Sequence, residues 1–265
     1  MHVLETEALT RCFGALKAVD AFTVALEAGD VFGLLGPNGA GKTTVIKMLT
    51  TLLPPTSGNA RVGGFDVVRQ AREVRRIIGY VPQMLSADGT LSGYENLLVF
   101  AKLYDLPRAT RKPRVRNALK LMGLADVADK LVRTYSGGMI RRLEIAQSML
   151  HEPRVLFLDE PTIGLDPLAR QAVWDRIAQL RAEYGTTILL TTHYMEEADS
   201  LCNRGAIMHL GTVRATGTPA ELKAAVGGGN ATLEEVFVQC VGASLESGGG
   251  YRDTFRTRRT ARRLG

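Results

Sequence analysis

The feature that most constrains this chain is a glycine-rich loop with the pattern G-x-x-x-x-G-K-T. The five residues before the loop, 31–35, are mostly apolar and predict a buried strand, and the apolar spacing after it predicts a helix packed on a sheet. Glycines let backbone N–H groups turn inward around phosphate oxygens, and the helix N-terminus adds its positive dipole end. The sequence therefore predicts a P-loop that binds a nucleotide through Gly36, Pro37, Asn38, Gly39, Ala40, Gly41, Lys42, Thr43 and Thr44.

Two side chains of this loop are expected to take part in phosphate chemistry. Lys42 can reach the β- and γ-phosphates, and the Thr43 hydroxyl can be a ligand of Mg²⁺. Further along the chain, the apolar run Val155–Leu158 ends in Asp159 and Glu160. Because carboxylates are costly to bury without a role, we expect Asp159 to hold Mg²⁺ and Glu160 to accept a proton from an attacking water or to orient it.

Further polar positions follow predicted strands or open a helix. Gln83 comes just after the strand predicted at 77–81, and His193 follows the strand predicted at 187–191. Ligands of α/β proteins bind at such strand ends, although a histidine there is more often a local hydrogen-bonding group. The Ser-Gly-Gly triplet at 136–138 opens a helix and has the form of an anion site, with a plain N-cap as the alternative.

The order of the predicted elements places the chain in the α/β class. We expect a P-loop NTPase core with a mixed or parallel sheet flanked by helices, an antiparallel β-subdomain, and a helical subdomain inserted at about 88–152, where no strand is predicted. The alternation of Phe22, Val24 and Leu26 predicts a strand over 18–26, and 68–76 is predicted to be a basic amphipathic helix. Capping boxes at 92–95 and 232–235 predict the starts of two helices, and Pro107 and Pro113 are expected to break the helices of the insertion. Residues 1–226 are interpreted as one ATPase domain, and residues 227–250 as a linker with a short C-terminal helix.

Charge and composition exclude some classes of function. The net charge of the 265 residues is +6, and the segment 251–265, which we expect to be a disordered tail, contains six arginines and one aspartate. The charge excess is therefore poor evidence for a nucleic-acid-binding face on the folded part. No apolar run approaches the roughly 18–20 residues of a membrane span, and the first residues lack the pattern of a signal peptide. The three scattered cysteines argue against a disulfide framework or a zinc site.

Together with Asp166, these motifs follow one another in the order found in ATP-binding subunits of ABC transporters. The sequence resembles that family over residues 2 to about 242. Three phrases resemble more specifically its ABC-2 type drug-export group, the daunorubicin-resistance-like ATPases. They are Pro54-Pro55-Thr56-Ser57-Gly58, Arg133-Thr134-Tyr135-Ser136-Gly137-Gly138-Met139 and Thr232-Leu233-Glu234-Glu235-Val236-Phe237. The resemblance implies the ABC ATPase fold and ATP hydrolysis coupled to transport.

The resemblance also implies a role for each position in binding or hydrolysing ATP, with Mg²⁺ as the metal cofactor. The residues implied to be catalytic are Lys42, Gln83, Glu160 and His193. Those implied to bind the nucleotide are Phe13, which would stack on adenine, residues 36–44, Ser136, Gly137, Gly138 and Asp166. Those implied to contact the metal are Thr43, Gln83 and Asp159. From spacing alone Phe13 is more simply a core phenylalanine, and that alternative stays open.

The family resemblance implies two kinds of protein partner. Ser136 and Gly138 would bind the γ-phosphate of ATP held by another monomer, so that a homodimer, or another ABC dimer, has two interfacial ATP sites. A separate transmembrane permease would dock on this subunit, which is then expected at the cytoplasmic face of the membrane as a peripheral protein without a nucleic-acid partner. The docking surface implied for the permease consists of Met84, Leu85, Tyr94 and Leu98. Leu98 is as readily part of the core of the helical insertion.

The function implied is that of the ATP-hydrolysing motor of an exporter whose substrate belongs to the drug, lipid or polysaccharide class. The alternative is a soluble ABC ATPase that acts on nucleic acid, on ribosomes or in cofactor assembly. Against that alternative, the chain has one P-loop and no long coiled-coil insertion. A P-loop GTPase would need an Asn-Lys-x-Asp motif, and no Asn of the chain precedes a Lys. The sequence does not encode the transported substrate, because its pocket would lie in the membrane subunit.

Overall fold

The structure, a computed structural model, describes residues 2–227 and 231–245. Their strands form two sheets. The strands are β1 (His2–Phe13), β2 (Leu16–Phe22), β3 (Ala25–Glu27), β4 (Val31–Leu35), β5 (Ser57–Val62), β6 (Phe65–Asp66), β7 (Ile78–Val81), β8 (Val155–Asp159), β9 (Thr187–Thr192), β10 (Arg204–His209) and β11 (Thr212–Gly217). The α-helices are α1 (Lys42–Leu49), α2 (Ala71–Ile77), α3 (Gly93–Leu103), α4 (Arg108–Leu121), α5 (Gly137–Met149), α6 (Pro167–Tyr184), α7 (Met195–Leu201), α8 (Pro219–Gly227) and α9 (Leu233–Leu245).

The central sheet has the order β11-β10-β4-β9-β8-β7, and every neighbouring pair except β10 and β11 is parallel. The strands β4, β8 and β9 are buried along their whole length, as expected for parallel strands covered on both faces. Leu35 lies opposite Thr192, and Asp159 lies opposite Thr191. The carboxyl ends of three neighbouring strands therefore meet at one edge of the sheet, where ligands of α/β proteins bind. The predicted α/β class is confirmed.

The second sheet is antiparallel, as predicted for the β-subdomain, with the order β2-β1-β5-β6 and with β3 paired to β1. A cluster of fully buried apolar side chains, including Phe22, Phe32 and Ile46, joins this sheet to α1 and to the central sheet. Burying a side chain of this size stabilises the folded chain by roughly 1.5–3 kcal/mol. The helix that follows the P-loop is therefore fixed against both sheets.

Between β7 and β8 the chain forms helices and no strand. The capping box predicted at Ser92 is confirmed, because its hydroxyl accepts the backbone N–H of Glu95 and the Glu95 carboxylate accepts that of Ser92. The predicted break at Pro107 is also found, since α4 begins immediately after it. The predicted break at Pro113 is wrong, because α4 continues through this residue.

The helix α4 tolerates Pro113 for a physical reason. A proline inside a helix removes one hydrogen bond and costs about 3 kcal/mol. The carbonyl that loses its partner belongs to Ala109, which is exposed, so water can bond to it. Val115 and Leu119 of the same helix are buried in the core of the helical region. Their burial offsets the lost hydrogen bond.

Two elements in the first third of the chain are shorter than predicted. The strand predicted at 18–26 is divided at Thr23 and Val24 into β2 and β3, and Ala21, one residue before the end of β2, has a left-handed backbone conformation with a φ of 49°. The helix predicted from Val68 starts at Ala71, because the Asp66 carboxylate accepts two backbone N–H groups and holds that segment in a turn.

The C-terminal helix predicted from the capping box at Thr232 is present as α9. Thr232 and Glu235 exchange the expected pair of hydrogen bonds. Residues 246–265, which include the predicted basic tail, lie outside the described residues, and the predicted domain boundaries stay predictions. Among the helices of the described part, none has both the length and the apolar character needed to cross a bilayer.

Candidate active site

A cavity of about 330 Å³ lies around the P-loop, at the carboxyl edge of the central sheet. Its lining consists of Ala18, Pro37, Asn38, Gly39, Ala40, Gly41, Lys42, Thr43, Thr44, Gln83 and Glu160. Gly41 has a φ of 103°, and a Cβ at this position would collide with the carbonyl oxygen of Ala18. A glycine is therefore required where the loop passes β2. The fold brings the predicted P-loop together with Gln83 and Glu160, which are distant in sequence.

Lys42 is a buried cation that lines this cavity. Its ammonium donates to the carbonyl oxygens of Gly36 (2.7 Å) and Pro37 (3.2 Å) and lies 3.0 Å from Glu160 Oε1. Both charged side chains are 5% exposed. Buried charges are tolerated when they are paired and hydrogen-bonded. The pair therefore fixes a cation and a carboxylate side by side against the P-loop.

Glu160 also contacts His193, which follows β9 directly. His193 Nδ1 lies 2.8 Å from Glu160 Oε2, so a proton on Nδ1 would donate to the carboxylate. The Glu160 backbone is left-handed, with a φ of 50°, and its N–H donates to the hydroxyl (2.9 Å) and the carbonyl (3.2 Å) of Thr191. Backbone conformations of this kind are concentrated at functional sites. Lys42, Glu160 and His193 thus form a continuous row of ionisable side chains.

Asp159 stands at the end of β8 and is 1% exposed. Its Oδ1 accepts hydrogen bonds from the Thr43 hydroxyl at 3.0 Å and from the Thr191 hydroxyl at 2.6 Å. Burial and, to a smaller extent, the Asp159 charge raise the pKa of Tyr80 to about 12, so this phenol stays neutral. A hydroxyl and a carboxylate oxygen side by side are hard donors of the kind that Mg²⁺ prefers. Thr43 and Asp159 therefore fit a magnesium ion next to the P-loop.

Known proteins share this fold and these motifs. Residues 19–163 match the family model described as ABC transporter. The daunorubicin/doxorubicin resistance ATP-binding protein of Streptomyces peucetius is 47% identical over 226 residues, which are 85% of this chain and 68% of that protein. The linearmycin resistance ATP-binding protein of Bacillus subtilis (strain 168) is 39% identical over 85% of this chain and 72% of its own length. A solved ATP-binding subunit of an ABC transporter has a TM-score of 0.80 at 30% identity, covering 90% of this chain and 99% of that one. The chain belongs to the ABC transporter family.

This ABC subunit binds ATP and has the ATPase activity of its family. The predicted ABC ATPase fold is confirmed by the solved neighbour, which spans nearly the whole of both chains. The prediction of an ATPase motor for an ABC exporter is confirmed at the level of the family, since relatives are named as ATP-binding proteins of resistance and of export. The roles of individual residues stay predictions.

One residue of this ABC site was not expected from the sequence. Thr191 is fully buried, its hydroxyl donates to Asp159, and both its hydroxyl and its carbonyl accept the N–H of Glu160. It therefore fixes two neighbouring carboxylate residues at once. In the sequence, Thr191 follows the apolar run Ile188–Leu190 at the end of a predicted strand. Because threonine is common in strands, this position does not by itself predict a site residue.

Ser136, which is predicted to act across a dimer, and Asp166, which is predicted to bind the nucleotide, lie outside the lining of the cavity. Ser136 caps α5 by accepting the N–H of Met139 at 3.3 Å, and Asp166 caps α6 by accepting that of Ala169 at 2.9 Å. The two helix starts are adjacent, because a Cβ at Gly138 would stand 2.8 Å from the Cβ of Ala169. The ABC subunit therefore has a second cluster of predicted nucleotide-binding residues, separate from the P-loop.

Phe13, predicted to stack on adenine, lies at the end of β1 and is 46% exposed. The alternative of a core phenylalanine is wrong, because half of the ring faces solvent. The Arg11 guanidinium stands 4.7 Å from the ring centroid and covers one side of it. The ring lies outside the described lining of the cavity, and its role in adenine binding stays a prediction.

Proposed function

We propose that this ABC subunit hydrolyses Mg-ATP in the P-loop cavity, with Glu160 orienting the attacking water or accepting its proton. The observation that carries the proposal is the meeting of Lys42, Glu160 and His193 beside Thr43 and Asp159 at one edge of the sheet. Lys42 would balance the charge of the β- and γ-phosphates, and His193 would hold Glu160 and contact the γ-phosphate. The water-orienting group and the phosphate-binding group would thus share one cavity.

Magnesium would be held by the Thr43 hydroxyl and the Asp159 carboxylate, with Gln83 on the same cavity wall as a further oxygen donor. When bound, the ion supplies charge neutralisation on the phosphate oxygens. The chain itself contributes by orienting the Asp159 carboxylate. The Thr191 hydroxyl bonds the same oxygen of Asp159 as Thr43 does, so the carboxylate is held toward the P-loop from two sides.

The contact between Lys42 and Glu160 supports a defined order of events. A nucleotide phosphate has more negative charge than a carboxylate, so it competes with Glu160 for the ammonium group. Glu160 would then release Oε1 from Lys42 while keeping its contacts to His193 and Thr191. Nucleotide binding would thereby free one carboxylate oxygen for the attacking water without moving the backbone that holds it.

The residues Ser136, Gly137, Gly138 and Asp166 would act on the nucleotide of a second copy of the chain. The first two and Asp166 are exposed, and α5 presents its positive dipole end at this point. This cluster has N–H groups and a hydroxyl for a phosphate, and its ionisable member is acidic. A two-fold homodimer would close each α5 N-terminus on the P-loop of the partner and complete two sites.

A separate membrane chain would supply the transport path, with this subunit bound at its cytoplasmic side. Met84 is 82% exposed and Leu85 is 51% exposed, while Tyr94 and Leu98 are half-buried. Together they would form the apolar surface beside Gln83 that accepts one face of a short helix of the membrane chain. The relatives named for resistance to daunorubicin, doxorubicin and linearmycin support a drug of that class as the exported substrate.

The test uses the full chain, expressed with and without the membrane subunit. The purified chain should release phosphate from ATP when Mg²⁺ is present and not after chelation, and Lys42→Ala should also weaken nucleotide binding. In cell fractions the chain should be on membranes when the permease is expressed, and deletion of 251–265 should leave it there, because salt screens the attraction of arginines to lipid. Hydrolysis without Mg²⁺ would contradict the site. Membrane binding without the permease, or its loss on deletion of the tail, would contradict the docking.

A further inference from the structure

The loop that follows β7 is held by side chains of α5. This loop, residues 82–88, carries Gln83 into the P-loop cavity. Arg141 donates to the carbonyl oxygens of Pro82 (2.7 Å) and Gln83 (2.8 Å). Glu144 accepts the backbone N–H of Ser86 and, at 3.1 Å, its hydroxyl. The loop is therefore held by α5 at its start and in its middle, while Asn96 of α3 exchanges hydrogen bonds with the backbone of Asp88 at its far end.

Arg141 and Glu144 also form a buried ion pair. Arg141 Nη1 lies 3.1 Å from Glu144 Oε2, and the two side chains are 3% and 2% exposed. Burial lowers the pKa of Arg141 and raises that of Glu144, so each charge depends on its hydrogen-bonding partners. A buried pair of this kind is tolerated only when its remaining donors and acceptors are satisfied. The carbonyl and N–H groups of the loop satisfy them, which ties the loop to the helix.

The same helix begins at the second cluster of predicted nucleotide-binding residues. Ser136 is the N-cap of α5, and Arg141 stands in its second turn. Arg141 and Glu144 are three positions apart and therefore share one face of the helix. A helix is rigid over this distance, so a displacement of its N-terminus moves the Arg141 guanidinium with it, and the guanidinium moves the carbonyls of Pro82 and Gln83.

We propose that Arg141 and Glu144 are positioning residues that transmit phosphate binding at the N-terminus of α5 to Gln83 of the same chain. The inference rests on the proposed function, in which that N-terminus binds the nucleotide held by the partner while Gln83 faces the chain's own nucleotide. Closure of one composite site thereby sets the position of Gln83 in the other. The two ATP sites of the dimer are coupled through this ion pair, and hydrolysis is cooperative in ATP.

The test compares Arg141→Met with a matched control one residue away. Arg142 belongs to the same helix turn, but its hydrogen bonds within the described residues go to the carbonyl oxygens of Met122 (2.9 Å) and Gly123 (3.5 Å) and not to the loop 82–88. Hydrogen exchange of peptides covering 82–88 and 134–140 is followed with and without Mg-ATP, in a Glu160→Gln background that holds the nucleotide. In the parent and in Arg142→Met, ATP should protect both peptides. In Arg141→Met it should protect 134–140 only.

Steady-state kinetics in the wild-type background give the second readout. Arg141→Met should lower kcat by roughly tenfold and bring the Hill coefficient for ATP to about 1, while the Kd for ATP changes by less than about twofold. The kcat and the Hill coefficient of Arg141→Lys should lie between those of the parent and those of Arg141→Met. An ammonium group keeps the charge but lacks the forked guanidinium that reaches two carbonyl oxygens. A purely structural role would instead lower the Tm and the ATP affinity together. If Arg141→Met does not fold, Arg141→Lys and Glu144→Gln decide by the same two readouts.

The inference is overturned if 82–88 keeps its ATP-dependent protection in the folded Arg141 or Glu144 variants, or if Arg142→Met loses it equally. It is also overturned if the parent hydrolyses ATP without cooperativity. A parent that does not hydrolyse Mg-ATP, or stays monomeric at saturating ATP, contradicts the proposed function instead. A dimeric, hydrolysing parent with unaffected variants contradicts this inference alone.

Discussion

The N-termini of α1 and α5 both suit a phosphate, but the chain completes them differently. Gly41 at the start of α1 makes no side-chain cap, so the first N–H groups of that helix stay available to a ligand. Ser136 at the start of α5 uses its own hydroxyl to cap the helix. Beside α1 stand a buried lysine and two buried carboxylates, whereas the start of α5 adjoins the start of α6, whose cap is the exposed Asp166.

The difference teaches that a helix N-terminus by itself is a binding surface and not a reaction centre. An exposed helix dipole contributes only about 0.3–1 kcal/mol toward an anion. At α1 further ionisable side chains are supplied by Asp159 at the end of β8, by Glu160 after it and by His193 after β9. The parallel sheet brings these strand ends to the same edge. At α5 the neighbour is another helix start, which is capped by the acidic side chain of Asp166. We therefore expect the α5 cluster to act when it is closed on a site that already has those charges.

The largest effect should come from removing chemistry at the α1 site. Glu160→Gln keeps the shape of the side chain but removes its charge and its ability to take a proton. Turnover should fall by roughly two to three orders of magnitude while ATP still binds, the size typical of losing one positioned catalytic group. Phosphate release and nucleotide affinity are measured side by side. Glu196→Gln, whose side chain is 74% exposed, is the control that should remain active. Near-normal turnover in Glu160→Gln would remove this residue from its role.

The next effect tests whether the α5 site belongs to another chain's reaction. Ser136→Asp keeps a good helix cap but places a negative charge where the phosphate would bind, so turnover should fall by roughly one to two orders of magnitude. Ser136→Asn, which caps without a charge, is the matched control. Mixing Ser136→Asp with Lys42→Ala should recover activity, up to about a quarter of the wild-type value, because half of the dimers then contain one intact composite site, and coupling between the sites would lower this value. No recovery on mixing would show that each chain completes its site alone.

A smaller effect should come from the support of the α1 site. Thr191→Val removes the hydroxyl that bonds Asp159 and the N–H of Glu160, and kcat should fall by roughly tenfold, which corresponds to about 1.4 kcal/mol. Thr187→Val is the control, because that hydroxyl also accepts one backbone N–H but stands at the other end of the same strand. The two variants should lose similar thermal stability and differ in kcat. Equal kcat values would contradict a positioning role for Thr191.

The smallest effect concerns Glu197, which is hydrogen-bonded to Thr162 in the segment between Glu160 and Asp166. Glu197 is fully buried and accepts hydrogen bonds from Thr162 (2.8 Å) and Trp174 (2.9 Å), and burial raises its pKa. A carboxyl with a raised pKa in the folded chain contributes stability at low pH that is lost as the pH rises through that pKa. The negative charge of Glu160 adds to the rise in the pKa of Glu197. Glu197→Gln, which keeps the acceptor, should therefore gain stability over the parent as the pH rises.

That comparison is made by chemical denaturation between about pH 5 and about pH 9. The difference between Glu197→Gln and the parent should be smallest at the acidic end, where the carboxyl of the folded parent is closest to its protonated form. Glu196→Gln, on the exposed side of the same helix, should show no such trend. A variant that loses stability steadily with rising pH would contradict the expected sign.

Several parts of this protein were determined by the sequence itself. The P-loop at 36–44, the two carboxylates that end the apolar run before Asp159, and the capping boxes at Ser92 and Thr232 all lie where the residues predict them. Each is a contiguous segment whose backbone conformation follows from its own glycines, apolar spacing or capping side chains. Local chemistry of this kind can be predicted without knowledge of the strand order.

Only the tertiary structure decided which of these segments meet. Asp159 and Thr191 are 32 positions apart, and Arg141 and Pro82 are 59 positions apart, yet both pairs are in hydrogen-bond contact. These contacts depend on the strand order β4-β9-β8-β7, in which β4 lies beside β9 far along the chain, and β7 and β8 are joined in sequence only through the helical insertion. The continuation of α4 through Pro113 was likewise decided by packing, because the burial of Val115 and Leu119 outweighs a local rule. No local pattern encodes such pairings, since their free energy comes from burial and partners that exist only after the chain has folded.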